Sequence, residues 1–296
     1  MGIIFQRGDP APVRYSGGRA YLLCAFNRHR GFWDVGMKYL TQSMIGTIQR
    51  CPQQFFRIYP NGERIPPGIS ARRGSSVHKG AEINHSYKLH APDDLPLDML
   101  QDAARDEYMR LVKNEGVFIP KEDVSSKDRL LNDGLNAAIN LTALYHAEVA
   151  PSIHPAIVEE KIELDAGLPL ILSGIIDVFT VDKWLPDLKT ADKSKNQSFA
   201  DSSVQLTLYA ALIHHRTGNW PNKISYEVLV NNATAKLQSL KTTRGPADFT
   251  ALLPRLDVIC QQIFSGIYPP CDPGAWICSP KWCGFYNSCK YSSKRR

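Results

Sequence analysis

The stretch LPLILSGIIDVFTVDKWLPDLKT, residues 168 to 190, decides how the chain is read. Leu170 to Val181 forms a β-rich run, and Trp184 to Thr190 reads as a short strand after it. Upstream, Ile157 to Leu164 is a further β-rich run, joined to the first by the hairpin signal Asp165-Ala166-Gly167. Working outward, helical patterns cover Tyr39 to Tyr59, Arg73 to Leu89, 97 to 114 and 127 to 148 on the N-terminal side. On the C-terminal side Ser202 to Arg216 and Ala247 to Phe264 read as helices, with a strand over Ile224 to Val230 between them. The order α, β, β, β, α, β predicts an α/β chain with a small mixed sheet flanked by helices.

The same stretch carries the chemistry. Strand side chains alternate, so Asp187 and Lys189 project to one side while Leu188 packs on the other. With Asp177 ten residues earlier, two carboxylates and a lysine come together. Carboxylates offer hard oxygen ligands to Mg²⁺ or Mn²⁺, and such an ion acidifies a bound water and offsets charge on a phosphate. Lys189 can orient that water or help to deprotonate it. An isolated D-x-K is common and more often a surface ion pair, so its company matters.

Four elements occur in order: Gly74-Ser75-Ser76-Val77-His78, Gly174-Ile175-Ile176-Asp177, Asp187-Leu188-Lys189-Thr190 and Gln205-Leu206-Thr207-Leu208-Tyr209. Across roughly residues 38 to 292 this set resembles the RecB-like branch of the PD-(D/E)xK nucleases, which includes CRISPR-associated RecB-like exonucleases, the AddB subunit and many phage proteins. The resemblance implies a restriction-endonuclease-like core. It makes His78, Asp177 and Asp187 metal ligands and Asp177, Asp187 and Lys189 the catalytic set, with Gln205 and Tyr209 lining the site. Their i, i+4 spacing places those last two on one helical face. Glu159 and Glu160 are weaker candidates for an acidic residue found upstream in some relatives, and neither is expected to be essential. The resemblance further implies a DNA nuclease, an exonuclease on single strands or ends, with partners in recombination, repair, phage replication or CRISPR adaptation. A non-catalytic DNA-binding subunit and a structure-specific endonuclease are the rival readings.

Cys278, Cys283 and Cys289 follow a C-x4-C-x5-C spacing, and Cys51 lies upstream of His78. In cluster-bearing members of the family, three C-terminal cysteines join one upstream cysteine. The resemblance therefore implies a [4Fe-4S] cluster on Cys51, Cys278, Cys283 and Cys289 that clasps the two ends of the chain. A four-cysteine zinc site, and a C-terminal set with Cys271 in place of Cys51, remain open. Cys24 and Cys260 read as structural thiols.

Composition sets outer bounds. Hydrophobic residues at 43% and charged residues at 22% suit a folded soluble protein. The 35 Lys and Arg exceed 29 Asp and Glu, a formal charge of +6 that permits a polyanionic partner. Arg72, Arg73, Lys79, Lys193 and Lys195 are candidates to grip phosphates. Residues 1 to 36 read as a poorly packed leader and 37 to 296 as one nuclease domain. A helical insert is expected over about 92 to 150 and the cysteine segment over 271 to 290. No signal peptide or membrane-length apolar run is visible, and seven cysteines suit a reducing compartment, so the expectation is a cytoplasmic protein with no membrane contact.

Overall fold

In a computed structural model, residues 36 to 293 are described. The leader and Cys24 lie outside them. The elements run β1 (Tyr39–Thr41), α1 (Gln42–Arg50), α2 (Pro52–Ile58), α3 (Ile69–Lys88), α4 (Leu97–Glu115), α5 (Lys127–Glu148), β2 (Pro155–Leu164), β3 (Ile171–Thr180) and β4 (Trp184–Ala191). They continue with α6 (Ser198–Asp201), α7 (Val204–Thr217), β5 (Lys223–Val230), β6 (Lys236–Thr242) and α8 (Pro246–Ser265).

Where one helix was expected over Tyr39 to Tyr59 there are three elements. Tyr39–Thr41 pairs in parallel with β3, Tyr39 opposite Ile171. Thr41 then caps α1, its hydroxyl accepting from the Met44 N–H. Pro52 lacks the N–H that would continue the helix and restarts it at the first position of α2, leaving Cys51 at the joint. The helix expected from Ser202 to Arg216 is α7, which starts two residues later because Ser203 accepts from the Leu206 N–H and caps it.

The single small sheet is in fact two mixed sheets of three strands, ordered β1-β3-β2 and β4-β5-β6. Each has one parallel and one antiparallel pair, and β3 and β4 lie in contact between them. β6 escapes sequence pattern because Leu237 and Leu240 are three apart, which breaks the period of two. Leu237 joins the core on one face of the sheets and Leu240 that on the other.

Those two cores explain the run-on apolar strands. One holds Leu172, Ile176, Leu212 and Leu256 between the strands and α1, α7 and α8. The other holds Val77, Leu141, Tyr145 and Leu188 beneath the layer of α3, α4 and α5. Each fully buried Leu or Ile contributes about 1.5–3 kcal/mol of transfer free energy. Two glycines of the quoted motifs are packing devices. A Cβ on Gly174 would lie 2.9 Å from both Leu212 and Tyr209, so only glycine lets α7 close on β3 there. A Cβ on Gly74 would come 3.2 Å from the Thr190 hydroxyl, so α3 crosses the end of β4 at close range. No helix of the described residues is long and apolar enough to cross a membrane.

Candidate active site

The close passage of α3 over β4 brings His78 onto the strands. Its Nε2 donates to the Leu188 carbonyl at 2.9 Å, which leaves Nδ1 facing the Asp177 carboxylate at 3.0 Å. Both side chains keep about a third of their surface open, 32% and 27%, although protein crowds them on their other sides. Burial would lower the His78 pKa, but contact with Asp177 outweighs it and the net shift is upward. The reciprocal balance holds for Asp177, where burial pushes up and His78 brings the net shift down.

Asp187 is almost fully enclosed, at 3% exposure. Its Oδ1 accepts from the Gln205 amide at 2.6 Å, and its Oδ2 lies 2.6 Å from the Lys189 ammonium. That contact lacks hydrogen-bond alignment, so Oδ2 is a buried carboxylate oxygen without a hydrogen-bond donor. Burial raises the Asp187 pKa against the opposing pull of Lys189. Lys189 is raised too: desolvation would lower it, and Asp187 more than compensates. The Gln205 carbonyl accepts from the Tyr226 hydroxyl at 3.3 Å, which fixes the amide orientation. Gln205 is thus engaged in holding Asp187. Tyr209 packs over Gly174, and burial first, then Asp187 and Asp177, pushes its hydroxyl up to about 12.

An open cleft of about 600 Å³ runs past these groups, lined by Gly74, His78, Glu82, Asp177 and Lys189 among others. Among the described residues no group of three or more His, Cys, Asp or Glu stands in a metal-holding arrangement. His78 and Asp177 face each other while Asp187 is turned to Lys189. The donor set still fits a hard divalent cation, since the unsatisfied Oδ2 of Asp187 is a spare oxygen ligand beside a second carboxylate and an imidazole nitrogen.

Two nearby groups, Glu227 and His85, were hidden in the sequence, and a third, Glu159, could not be told there from Glu160. Glu159 and Glu160 are neighbours in the chain but part ways in space. Glu160 pairs with Arg216 of α7 at 2.5 Å, whereas Glu159 lines the cleft. The register pairing Val158 with Val178 and Glu160 with Ile176 sets Glu159 against Asp177, and its φ of 48° breaks the ladder at that point. Its carboxyl is pushed up to about 7, by desolvation first and then by Asp177 and Glu82. Glu227 is buried on β5 and accepts from the hydroxyls of Ser225 and Ser239 at 2.6 and 2.8 Å.

His85, two turns beyond His78 on α3, contacts the Tyr145 hydroxyl at 2.7 Å, and burial pushes its pKa down to about 4. As pH falls below the unfolded value near 6.5, the unfolded chain takes this proton first. The stability the neutral ring contributes is complete above about pH 6.5 and is lost as pH falls towards 4, with about 2 kcal/mol gone by pH 5. His85→Gln should therefore flatten the fall of melting temperature between about pH 7 and 5. An unchanged slope would show that this histidine is not its source.

The expected phosphate grips fare unevenly. Arg72 and Arg73 are buried: Arg72 donates to the Gly116 carbonyl and pairs with Glu115, and Arg73 pairs with Asp192 at 2.8 Å. Neither is available to DNA. Lys79 pairs with Glu82, while Lys193 and Lys195 are exposed beyond β4.

Away from the cleft, five cysteines line one cavity. Cys51 from the α1–α2 joint meets Cys271, Cys278, Cys283 and Cys289. All are free thiols. Cys271 is pushed up to about 12, by desolvation and then by contact with Cys51 and Cys278. The two alternatives for the fourth ligand are therefore side by side. Around them Gln53 donates to the Tyr268 and Pro269 carbonyls, and Arg57 stacks 4.3 Å from Phe285 and donates to Ser288. Cys260 is buried in α8, as a structural thiol should be.

Mixed sheets, a carboxylate pair, a lysine beside one carboxylate and a histidine on the other define the class. The chain belongs to the PD-(D/E)XK nuclease superfamily, whose family model matches residues 39–290. Among solved structures, a Eubacterium rectale protein with a provisional exonuclease name superposes at TM-score 0.54 with 10% identity, covering 79% of this chain and 85% of that one. The match is one of fold. The solved chain SSO0001 aligns at TM-score 0.33 with 15% identity over 74% of this chain and 95% of its own, too distant to carry any inference. No curated protein matches the sequence.

Proposed function

We propose that the protein is a metal-dependent deoxyribonuclease acting on single strands or ends. The observation that carries this reading is the meeting of His78 with Asp177 and of Lys189 with Asp187 on one open cleft. Asp177, Asp187 and the Nδ1 of His78 would hold Mg²⁺ or Mn²⁺. A bound cation would supply Lewis-acid activation of water and offset charge on the phosphate. Lys189, kept protonated by Asp187, orients water and faces the phosphate as a cation; it does not take up a proton. Gln205 keeps Asp187 in place, and Tyr209 closes the wall behind Asp177.

The cysteine cavity fits an all-thiolate centre, being walled by Ile277, Phe285 and Tyr286 with Arg57 supplying positive charge. Cys51, Cys278, Cys283 and Cys289 would hold a [4Fe-4S] cluster of structural role, since hydrolysis transfers no electron. The six cysteines of the described residues are free thiols, which suits a reducing, cytoplasmic setting.

End-labelled linear and circular single-stranded DNA, each with Mn²⁺ or with chelator, test the reading. Linear DNA should shorten from an end only with metal, and circles should persist. Rapid linearisation of circles would make the enzyme an endonuclease, and inertness on every DNA would leave a binding subunit.

A further inference from the structure

Tryptophan is seldom left in solvent, because it offers the largest apolar surface of any side chain. The cysteine segment nevertheless presents Trp276 and Trp282 at 62% and 56% exposure. Their rings meet edge to face, centroids 5.6 Å apart at 86°, on a segment of successive turns. That backbone is fixed. The Cys278 N–H donates to Ala275, those of Trp282 and Cys283 donate to Ser279, and Ile277 and Phe285 anchor the segment from below. The indoles are thus held out by a rigid support.

Their surroundings are basic. Lys281 lies 5.5 Å from the Trp282 ring centroid, and Lys290 lies 4.8 Å from that of Tyr291, itself 37% exposed. From Cys271 to Ser293 the charged residues are Lys281 and Lys290 against Asp272 alone. Protein-binding surfaces gather aromatics but are depleted of lysine, whereas single-stranded nucleic acid is held by aromatics and cations together. Gly284 of this segment packs against Ile65, and Ser70, five residues further on, already lines the cleft. At most about 18 Å of chain separates the two.

We propose that Trp276 and Trp282 form a stacking platform for unpaired bases of single-stranded nucleic acid, with Lys281 on its phosphates. This deepens the nuclease reading and rests on it for the identity of the polymer, but the binding can be measured without cleavage. Full-length protein is titrated with fluorescein-labelled oligothymidylate in chelator, following anisotropy together with quenching of intrinsic tryptophan fluorescence. Each of Trp276→Ala and Trp282→Ala should weaken binding about tenfold, with most of the affinity restored by Trp→Phe. Binding of a blunt hairpin duplex should be unchanged, since its bases are already stacked. Melting temperatures should match wild type because neither ring supports the core. The proposal is overturned if the alanine variants bind oligothymidylate like wild type, if the duplex loses as much, or if only self-association changes. Wild-type cleavage measured alongside separates the two readings: tryptophan-dependent binding without any wild-type cleavage would sink the nuclease assignment and leave the platform standing.

Discussion

Asp187→Ala is expected to reduce metal-dependent DNA cleavage by about 10³-fold or more while leaving DNA binding near wild type. Asp187 is almost fully enclosed, so it cannot be a phosphate grip; its Oδ1 accepts from Gln205, while Oδ2, beside Lys189, has no hydrogen-bond donor and is left to a cation. Asp187→Asn keeps the shape and can still accept from Gln205, yet removes the charge. An equal loss in both variants assigns the effect to the carboxylate and not to packing. Lys189→Ala should lose a similar factor. It also strands a buried carboxylate, so part of its defect will be in stability, of the order of a few kcal/mol. Lys189→Met, which fills the same space, should be compared by melting temperature before rates are interpreted. The measurement is initial rate on end-labelled single strands with Mn²⁺, beside anisotropy binding in chelator. Near-wild-type rates in Asp187→Asn would remove Asp187 from the catalytic set.

How far the sequence revealed this site depends on which signals are local. Asp187, Leu188 and Lys189 form a period-two pattern, and the structure keeps Leu188 in the core with Asp187 and Lys189 together. The strands around them were legible because they are buried on both faces and read as apolar runs. β6 was not, since an edge strand with polar residues and one leucine per face leaves no alternation. The motif glycines were visible as letters, but their reason was not: Gly74 and Gly174 matter through Thr190 and Tyr209, groups 116 and 35 positions away.

The same limit applies to charge. Arg72 and Arg73 look like phosphate grips in a row of residues, and only the fold shows that Glu115 and Asp192 have claimed them. Glu159 and Glu160 are indistinguishable by composition. A broken ladder directs one into the cleft and leaves the other with Arg216. Gln205 was read as a group facing the substrate, and its hydrogen bond to Asp187 makes it a positioning residue, a role that depends on α7 lying across β4. Long-range pairings of this kind have no sequence period, and so no pattern search finds them.

The cysteines pose the remaining structural choice, and Cys51→Ala should decide it. Five thiols line one cavity, one more than a [4Fe-4S] centre takes. Protein purified without oxygen should be brown and contain about four iron and four sulfide per chain. The tail from Cys271 onward buries few large side chains, Ile277 and Phe285 being the chief ones, and otherwise leans on Arg57, which stacks on Phe285 and donates to Ser288. A bond network from Cys51 to Cys278, Cys283 and Cys289 would therefore carry much of its attachment to α2, and stability would follow occupancy. Cys51→Ala should bleach the protein and lower its melting temperature, whereas Cys271→Ala should do neither, its thiol being a neighbour of the centre and not a ligand. The opposite pattern would place all four ligands in the tail and free α1 and α2 from it. Stoichiometric zinc in colourless protein would replace the cluster by a zinc site on the same thiolates. Retention of metal in both variants would mean that the fifth thiol substitutes for whichever is lost.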